Sequence, residues 1–335
     1  MNKYLEYFHY DLWRVMRPLA FHGAGKSGPF FEGWYFKLVS ADGAQRLSII
    51  PGVYIGKDHQ DDHAFIQLID GVSGQSDFYS FQFDAFSFEP DVMDLRVGKN
   101  HFTRDHISLD LEQSGMRLSG SVEFNGQVPW PVTIPSPGVM GWYAWVPGME
   151  CYHGIVSMDH SLKGQLILNE KVLDFSKGRG YMEKDWGRAM PSAWIWMQTN
   201  HFSQPGISLT FSIADIPWGR HSFTGFLGGF LYDGQLHRFT TYTGAKVSGL
   251  EVTEKSVKFT VTSRRFRLEV HALRQEGSAL QAPTTSQMDR RITESLSAEI
   301  HIKFSEKHDG GWIEKFSGTG IHAGLEVVGD LSILK

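Results

Sequence analysis

The feature that most restricts the fold is a chain-long succession of short alternating runs, each bounded by turn residues and none extending into a convincing long helical period. Ile107, Leu109 and Leu111 alternate with polar neighbours, as do Met116, Leu118, Val122 and Phe124. The pattern returns at Ile207, Leu209, Phe211 and Ile213, at Phe266, Leu268 and Val270, and at Ala298, Ile300, Ile302 and Phe304. Side chains two apart share one face of a strand, so such runs bury one face and wet the other. Many short strands at near-regular spacing specify an all-β sandwich or barrel with few helices. At 335 residues, with 41% hydrophobic and 13% aromatic side chains, the chain is long enough for two packed β domains.

Each half opens on an acidic residue close to a tryptophan, F-F-E-G-W-Y-F-K at 30–37 and Y-M-E-K-D-W-G at 181–187. We read these as a faint internal repeat, and expect an N-terminal segment at 1–18, one β domain over 19–176 and a second over 177–335. Leu5, Phe8, Leu12 and Val15 predict a short amphipathic helix over 3–17, stopped by Pro18. A change of aromatic parity between Phe83 and Phe86 predicts a bulge. The Pro- and Gly-rich stretch 126–148, with Trp130, Trp142 and Trp145, reads as a crossover or interdomain segment and is the alternative place for the boundary.

Composition removes several function classes. A net charge of -5 with no basic block argues against nucleic acid as a partner. Cys151 is the only cysteine, which excludes an intrachain disulfide and a cysteine-rich metal site. The charged N-terminus lacks the apolar core of a signal peptide, and no stretch has the apolarity of a membrane span; the expectation is a cytoplasmic protein, compatible with peripheral membrane contact. Gly25-Lys26-Ser27 lacks the upstream glycine and the following helix of a phosphate loop. His59 and His63 have helical ligand spacing but lie in a turn-like D-H-Q-D-D-H run, and the expectation is no metal. Cys151 and His153 share a strand face, where the cysteine reads as buried and structural.

Carboxylates set among aromatics remain. Glu32 shares a strand face with Trp34, Phe36 and Leu38, an acid on an otherwise apolar surface. From Gly180 the chain gathers Glu183, Lys184 and Asp185 around Trp186, then, after Pro191, alternates so that Trp194, Trp196, Gln198 and Asn200 share a face. An aromatic wall ending in amides, with acids upstream, suits a largely apolar ligand with a polar head. Such a set can do acid-base work without a cofactor, one carboxyl donating a proton while aromatic faces stabilise the cation formed.

The motifs at 30–37 and 181–187, followed by W-I-W-M-Q-T-N at 194–200 and L-Q-A-P-T-T at 280–285, resemble the tocopherol cyclase family in order and spacing from about Arg17 onward. The resemblance implies two lipocalin-like β domains and a cofactor-independent cyclase that protonates the alkene of a prenylated quinol so that its phenolic oxygen attacks the tertiary cation. On this reading Asp185 or Glu183 is the general acid, with Glu32 third. Trp34, Tyr181, Trp186, Trp194 and Trp196 line the substrate, Gln198 and Asn200 orient its head, and Lys184 pairs with a carboxylate or holds the phenolic oxygen. The plant enzymes commonly carry Asn at the place of Asp185, a departure that adds a carboxylate here and counts against direct transfer of the plant activity; the chain lacks a plastid-type transit segment, so it resembles a bacterial relative with a different prenyl lipid as substrate. The other readings of the same residues are a lipocalin-like carrier of an apolar ligand and a carbohydrate-binding β module.

Overall fold

A computed structural model describes residues 14–113 and 115–334. The helix expected over 3–17 lies outside the described residues for all but 14–17. Antiparallel strands make up nearly all the regular structure, interrupted by short 3₁₀ turns.

The chain forms two compact units. The first takes the described residues through Leu68, Asp77–Met190 and Gln281–Arg290; the second takes Ile69–Ser76, Pro191–Leu280 and the described residues from Arg291 onward. The division expected at 176 falls inside the first unit.

The first sheet contains β1 (Phe30–Val39), β2 (Arg46–Ile55), β3 (His63–Asp70), β4 (Ser76–Gln82), β5 (Phe86–Phe88), β6 (Asp94–Val97), β7 (Asn100–Thr103), β8 (His106–Gln113) and β9 (Met116–Asn125). After the small hairpin β10 (Val132–Thr133) and β11 (Ser136–Pro137), the sheet resumes with β12 (Cys151–Leu168), β13 (Lys171–Asp174) and β14 (Arg179–Gly187). The second sheet contains β15 (Trp194–Thr199), β16 (Ser208–Trp218), β17 (His221–Tyr232), β18 (Gln235–Thr240), β19 (Lys246–Val252), β20 (Ser256–Thr262), β21 (Phe266–Leu273), β22 (Ser278–Ala282), β23 (Arg290–His308) and β24 (Gly311–Val328).

The strand orders repeat. In the first sheet the order runs β4-β3-β2-β1-β14-β12-β9-β8-β7-β6-β5, and in the second β18-β17-β16-β15-β24-β23-β21-β20-β19. Each sheet begins with a four-strand meander whose first strand pairs with the sheet's last long strand. Each sheet also curls on itself: Phe36 of β1 meets Phe102 of β7 at 5.7 Å between ring centroids, and Phe211 of β16 meets Phe259 of β20 at 4.7 Å. Rings from strands far apart in the sheet order can touch only across a shared interior. The two lipocalin-like β domains expected from the sequence are thus present.

Three sequence readings are corrected. The motifs at 30–37 and 181–187 are not equivalent positions of a repeat but partners: β1 and β14 pair antiparallel, Glu32 opposite Trp186 and Trp34 opposite Lys184. The strand that corresponds to β1 is β15. Stretch 126–148 joins β9 to β12, which are neighbours in one sheet, so it divides no domains. Phe83–Ala85 forms a 3₁₀ turn between β4 and β5, which changes the parity by a turn of chain instead of a bulge.

Backbone packing fixes the register of β14. A Cβ on Gly187 would lie 2.2 Å from the Glu150 carbonyl oxygen, where neither side can give way. A Cβ on Gly180 would lie 2.3 Å from Nε2 of His160, a buried imidazole that donates through Nδ1 to Ser157 Oγ at 3.1 Å and whose pKa burial pushes down to about 3. Gly187→Ala should therefore cost about 1–3 kcal/mol of stability, read from the urea midpoint; an unchanged midpoint would show that the strand end yields.

Candidate active site

Alternation along β14 sends two chemistries to opposite faces of one strand. Met182 and Trp186 belong to the apolar core of the first unit, together with Trp34, Phe36 and Leu38 of β1. Glu32 and Lys184 lie on that same inner face, and both side chains are wholly buried. Tyr181, Glu183 and Asp185 fall on the outer face.

The inner group is an ion pair whose hydrogen bonds are complete. The Lys184 ammonium donates to Glu32 Oε1, to the Ala20 carbonyl at 2.8 Å and toward Nδ1 of His22 at 3.3 Å. His22 Nδ1 also lies 3.4 Å from Glu32 Oε1, and the ring's tautomer decides which of the two it bonds. Glu32 Oε2 accepts the His22 backbone N–H at 2.7 Å. The ammonium also sits over two indole faces, 5.0 Å from the Trp34 centroid and 4.8 Å from that of Trp186. His22 stacks on Trp186 at 4.2 Å, and Tyr152 stacks beyond it at 5.6 Å. Gly154 lies opposite Lys184, where a Cβ would press to 3.1 Å on Trp186. Arg14 ties the His22 loop by donating to the carbonyls of His22 at 2.9 Å and Ala24 at 3.2 Å.

Charge on this face is settled by competition between burial and partners. Burial alone would raise the Glu32 carboxyl, but Lys184 and the His22 bonds outweigh it and hold Glu32 below the usual range. Burial and the adjacent ammonium push His22 down to about 4, so its ring is neutral near pH 7. An acid that must stay protonated at neutral pH needs the opposite of what surrounds Glu32.

The outer group is a relay. His153 of β12 stands opposite Asp185 in register. Its Nδ1 lies 2.8 Å from Asp185 Oδ1 and its Nε2 lies 3.5 Å from Glu183 Oε2, while Tyr181 donates its hydroxyl to Glu183. Burial opposes charge on His153, but Asp185 and Glu183 flank the two ring nitrogens and lift its pKa to about 9. The ring is an imidazolium at neutral pH, held between two carboxylates. Exposure is graded: the Glu183 side chain is 5% exposed, His153 13% and Asp185 28%, so the relay opens outward at Asp185.

These three residues offer donor atoms within 4.8 Å of one another, a spacing that a divalent cation could use. Ligation of an ion there would require His153 to give up its ring proton. Cys151, two residues earlier, is kept a thiol because burial raises its pKa well above the usual value. His59 and His63 form local turn contacts, with Asp62 at 2.8 Å and the Asp61 carbonyl at 2.7 Å.

The sequence-predicted residues lie on the two faces of β1 and β14 in the first unit and on or just past β15 in the second. Glu32, Trp34, Lys184 and Trp186 form the inner cluster, Tyr181, Glu183 and Asp185 the outer one. Trp194, Trp196 and Gln198, with Asn200 just past the strand, belong to the second unit, the first three on the face of β15 opposite Ile195 and Met197, which enter the second core. All four are buried, and Trp194 Nε1 donates to Glu326 at 2.5 Å. Sequence reasoning noticed His153 but gave it no role; its signal was a lone histidine on the strand Y-H-G-I-V-S-M. His22 and Arg14 carried no such signal.

Comparison with known proteins adds a family. The family model described as tocopherol cyclase-like matches residues 125–329. A probable chloroplastic tocopherol cyclase of Oryza sativa subsp. japonica is 23% identical, the alignment covering 92% of this chain and 77% of that protein. The chloroplastic tocopherol cyclase of Zea mays is 26% identical over the same shares. Among solved structures the crystal structure of CghA superimposes with a TM-score of 0.55 at 13% identity, covering 90% of this chain and 89% of that one, which shows a shared fold.

Removing one member of a sealed ion pair leaves the other charged and unpaired. Lys184→Met should cost about 3–5 kcal/mol, and adding Glu32→Gln should recover much of that loss. Chemical denaturation of the two variants checks this; a neutral Lys184→Met would mean that Glu32 is protonated.

Proposed function

Because the chain belongs to the tocopherol cyclase-like family, we propose that it catalyses an acid-promoted, cofactor-independent ring closure, or a related isomerisation, of a prenylated quinol or similar apolar lipid. The observation that carries the reading is the Tyr181–Glu183–His153–Asp185 relay, a stored proton beside a partly exposed carboxyl. Named cyclases among the relatives supply the substrate class.

In this reading His153 holds the proton and Asp185 delivers it. The proton passes from Nδ1 to the Asp185 carboxylate and on to the less substituted alkene carbon, leaving a tertiary cation. The phenolic oxygen forms the new C–O bond, and its proton returns through Asp185 to His153. No atom is gained or lost. A histidine with a pKa near 9 is a weak acid, so the rate depends on the site favouring the cation over the bound alkene. Tyr35, opposite Glu183, shares the relay's face with Tyr181, and both are buried there. Trp34 and Trp186, on the other face, hold Lys184 instead of the substrate. Glu32 is left out of the acid role because its surroundings keep it ionised.

Turnover of a panel of prenylated quinols in D₂O tests the reading, with one deuteron expected at the former alkene carbon of the chromanol. Asp185→Asn and His153→Gln should each lower kcat by about 10²-fold or more. Quinol recovered unchanged from the wild type would favour a carrier, and unchanged turnover in both variants would remove the acid assignment.

The pH profile gives a second check. The His153 pKa is raised from 6.5 to about 9 by its carboxylates, so its contribution to stability is complete below pH 6.5 and is lost as pH rises through 9. The rate should fall across the same alkaline limb. A profile flat through pH 9–10 would mean that His153 is not the proton store.

A further inference from the structure

From Asn125 to Met149 the chain contains no Asp, Glu, Lys, Arg or His; Glu123 and Glu150 are the nearest. A run of similar length, 189–214, also lacks Asp, Glu, Lys and Arg, but it contains His201 and is largely taken up by the buried strands β15 and β16. The stretch from Asn125 to Met149 links β9 to β12 through the β10–β11 hairpin and a 3₁₀ turn, Gly141–Trp145. Its outer surface is apolar: Ile134 is 74% exposed, Trp142 45% and Val132 40%. Other exposed large apolar residues stand beside charges, as Trp218 does near Arg220 and Ile313 beside Glu314. Single exposed residues need no explanation; a charge-free set does.

The backbone here is arranged for a medium without water. Pro129, Pro131, Pro135, Pro137 and Pro147 have no N–H to desolvate. The Ile134 carbonyl accepts the Trp145 indole N–H at 2.9 Å, which fastens the turn to the hairpin. The Val146 carbonyl accepts the Tyr152 hydroxyl at 2.7 Å, and the carbonyls of Gly138 and Met140 accept the amides of Gly141 and Tyr143 at 3.2 Å. An unpaired backbone group costs several kcal/mol in hydrocarbon, and pairing them internally removes that obstacle. Trp142 and Tyr143 stack at 4.1 Å, side chains whose apolar bodies and polar tips suit the headgroup level of a bilayer. Arg188 reaches the Gly148 carbonyl at 3.4 Å from the edge of the stretch, where a guanidinium would meet lipid phosphate.

We propose that the β10–β11 hairpin and the Gly141–Trp145 turn form a docking surface for a lipid bilayer, entered by Ile134 and Trp142. A protein partner is less well matched, since protein interfaces are rimmed by polar groups and carry about one hydrogen bond per 100–200 Å², whereas Val132, Ile134 and Trp142 expose apolar surface in a stretch without a charged residue. The inference does not depend on the reaction at Asp185.

The test is flotation of the full chain with neutral phosphatidylcholine vesicles at low and high salt. Binding should persist at high salt, and the double variant Ile134→Asp, Trp142→Asp should reduce the bound fraction by about tenfold or more with an unchanged melting temperature, because both side chains are exposed. Failure of the wild type to bind neutral vesicles would overturn the proposal. So would binding that requires anionic lipid and vanishes with salt, or concentration-dependent self-association abolished by the same variant, which would assign the patch to a second copy of the chain.

Discussion

The buried pair of Glu32 and Lys184 is the interaction on which the first unit's arrangement turns. Two charges removed from water are tolerated only when every donor and acceptor is met, and here a carbonyl, a ring nitrogen, a carboxylate and two indole faces complete the shell. The requirement reaches well beyond the pair. It holds β1 against β14 in a single register, draws the His22 loop over the end of the core, and needs a glycine at position 154 to make room. Such a pair adds little net stability compared with an apolar filling of the same volume; its effect is to make other registers expensive.

Fixing the inner face also fixes the outer one. With Lys184 and Trp186 turned inward, Glu183 and Asp185 must point outward, where β12 supplies His153. The same strand thus carries a sealed, ionised carboxylate partner on one side and a graded, partly open relay on the other. Neutral His22 and charged His153 lie on opposite faces of it, and the difference between them is one of company: an ammonium beside the first, two carboxylates beside the second.

Much of this was legible in the sequence where the physics is local. Period-two alternation gave the all-β class and placed Glu32, Trp34, Phe36 and Leu38 on one face, because adjacent residues on a strand must diverge. Pairing between β1 and β14 was not legible, since it joins positions about 150 residues apart and nothing in either segment names its partner. The two motifs look alike as sequence, an acid close to a tryptophan, yet they are paired strands and not copies of one position. At Gly180–His201 the second unit begins at Pro191, so Trp194 and Trp196 belong to a different unit from the acids that precede them. Proline and glycine at 126–148 correctly marked irregular chain, but punctuation says only that a strand has stopped, not where the next one goes.

The alternation of β14 limits how its lineage can change. Substitution can revise one face while leaving the other intact, so the carboxylates or the aromatics can drift separately. A single inserted or deleted residue would instead exchange the faces wholesale, sending Glu183 and Asp185 into the barrel and Lys184 out of it. Descendants of this strand should therefore vary in their letters far more readily than in their length.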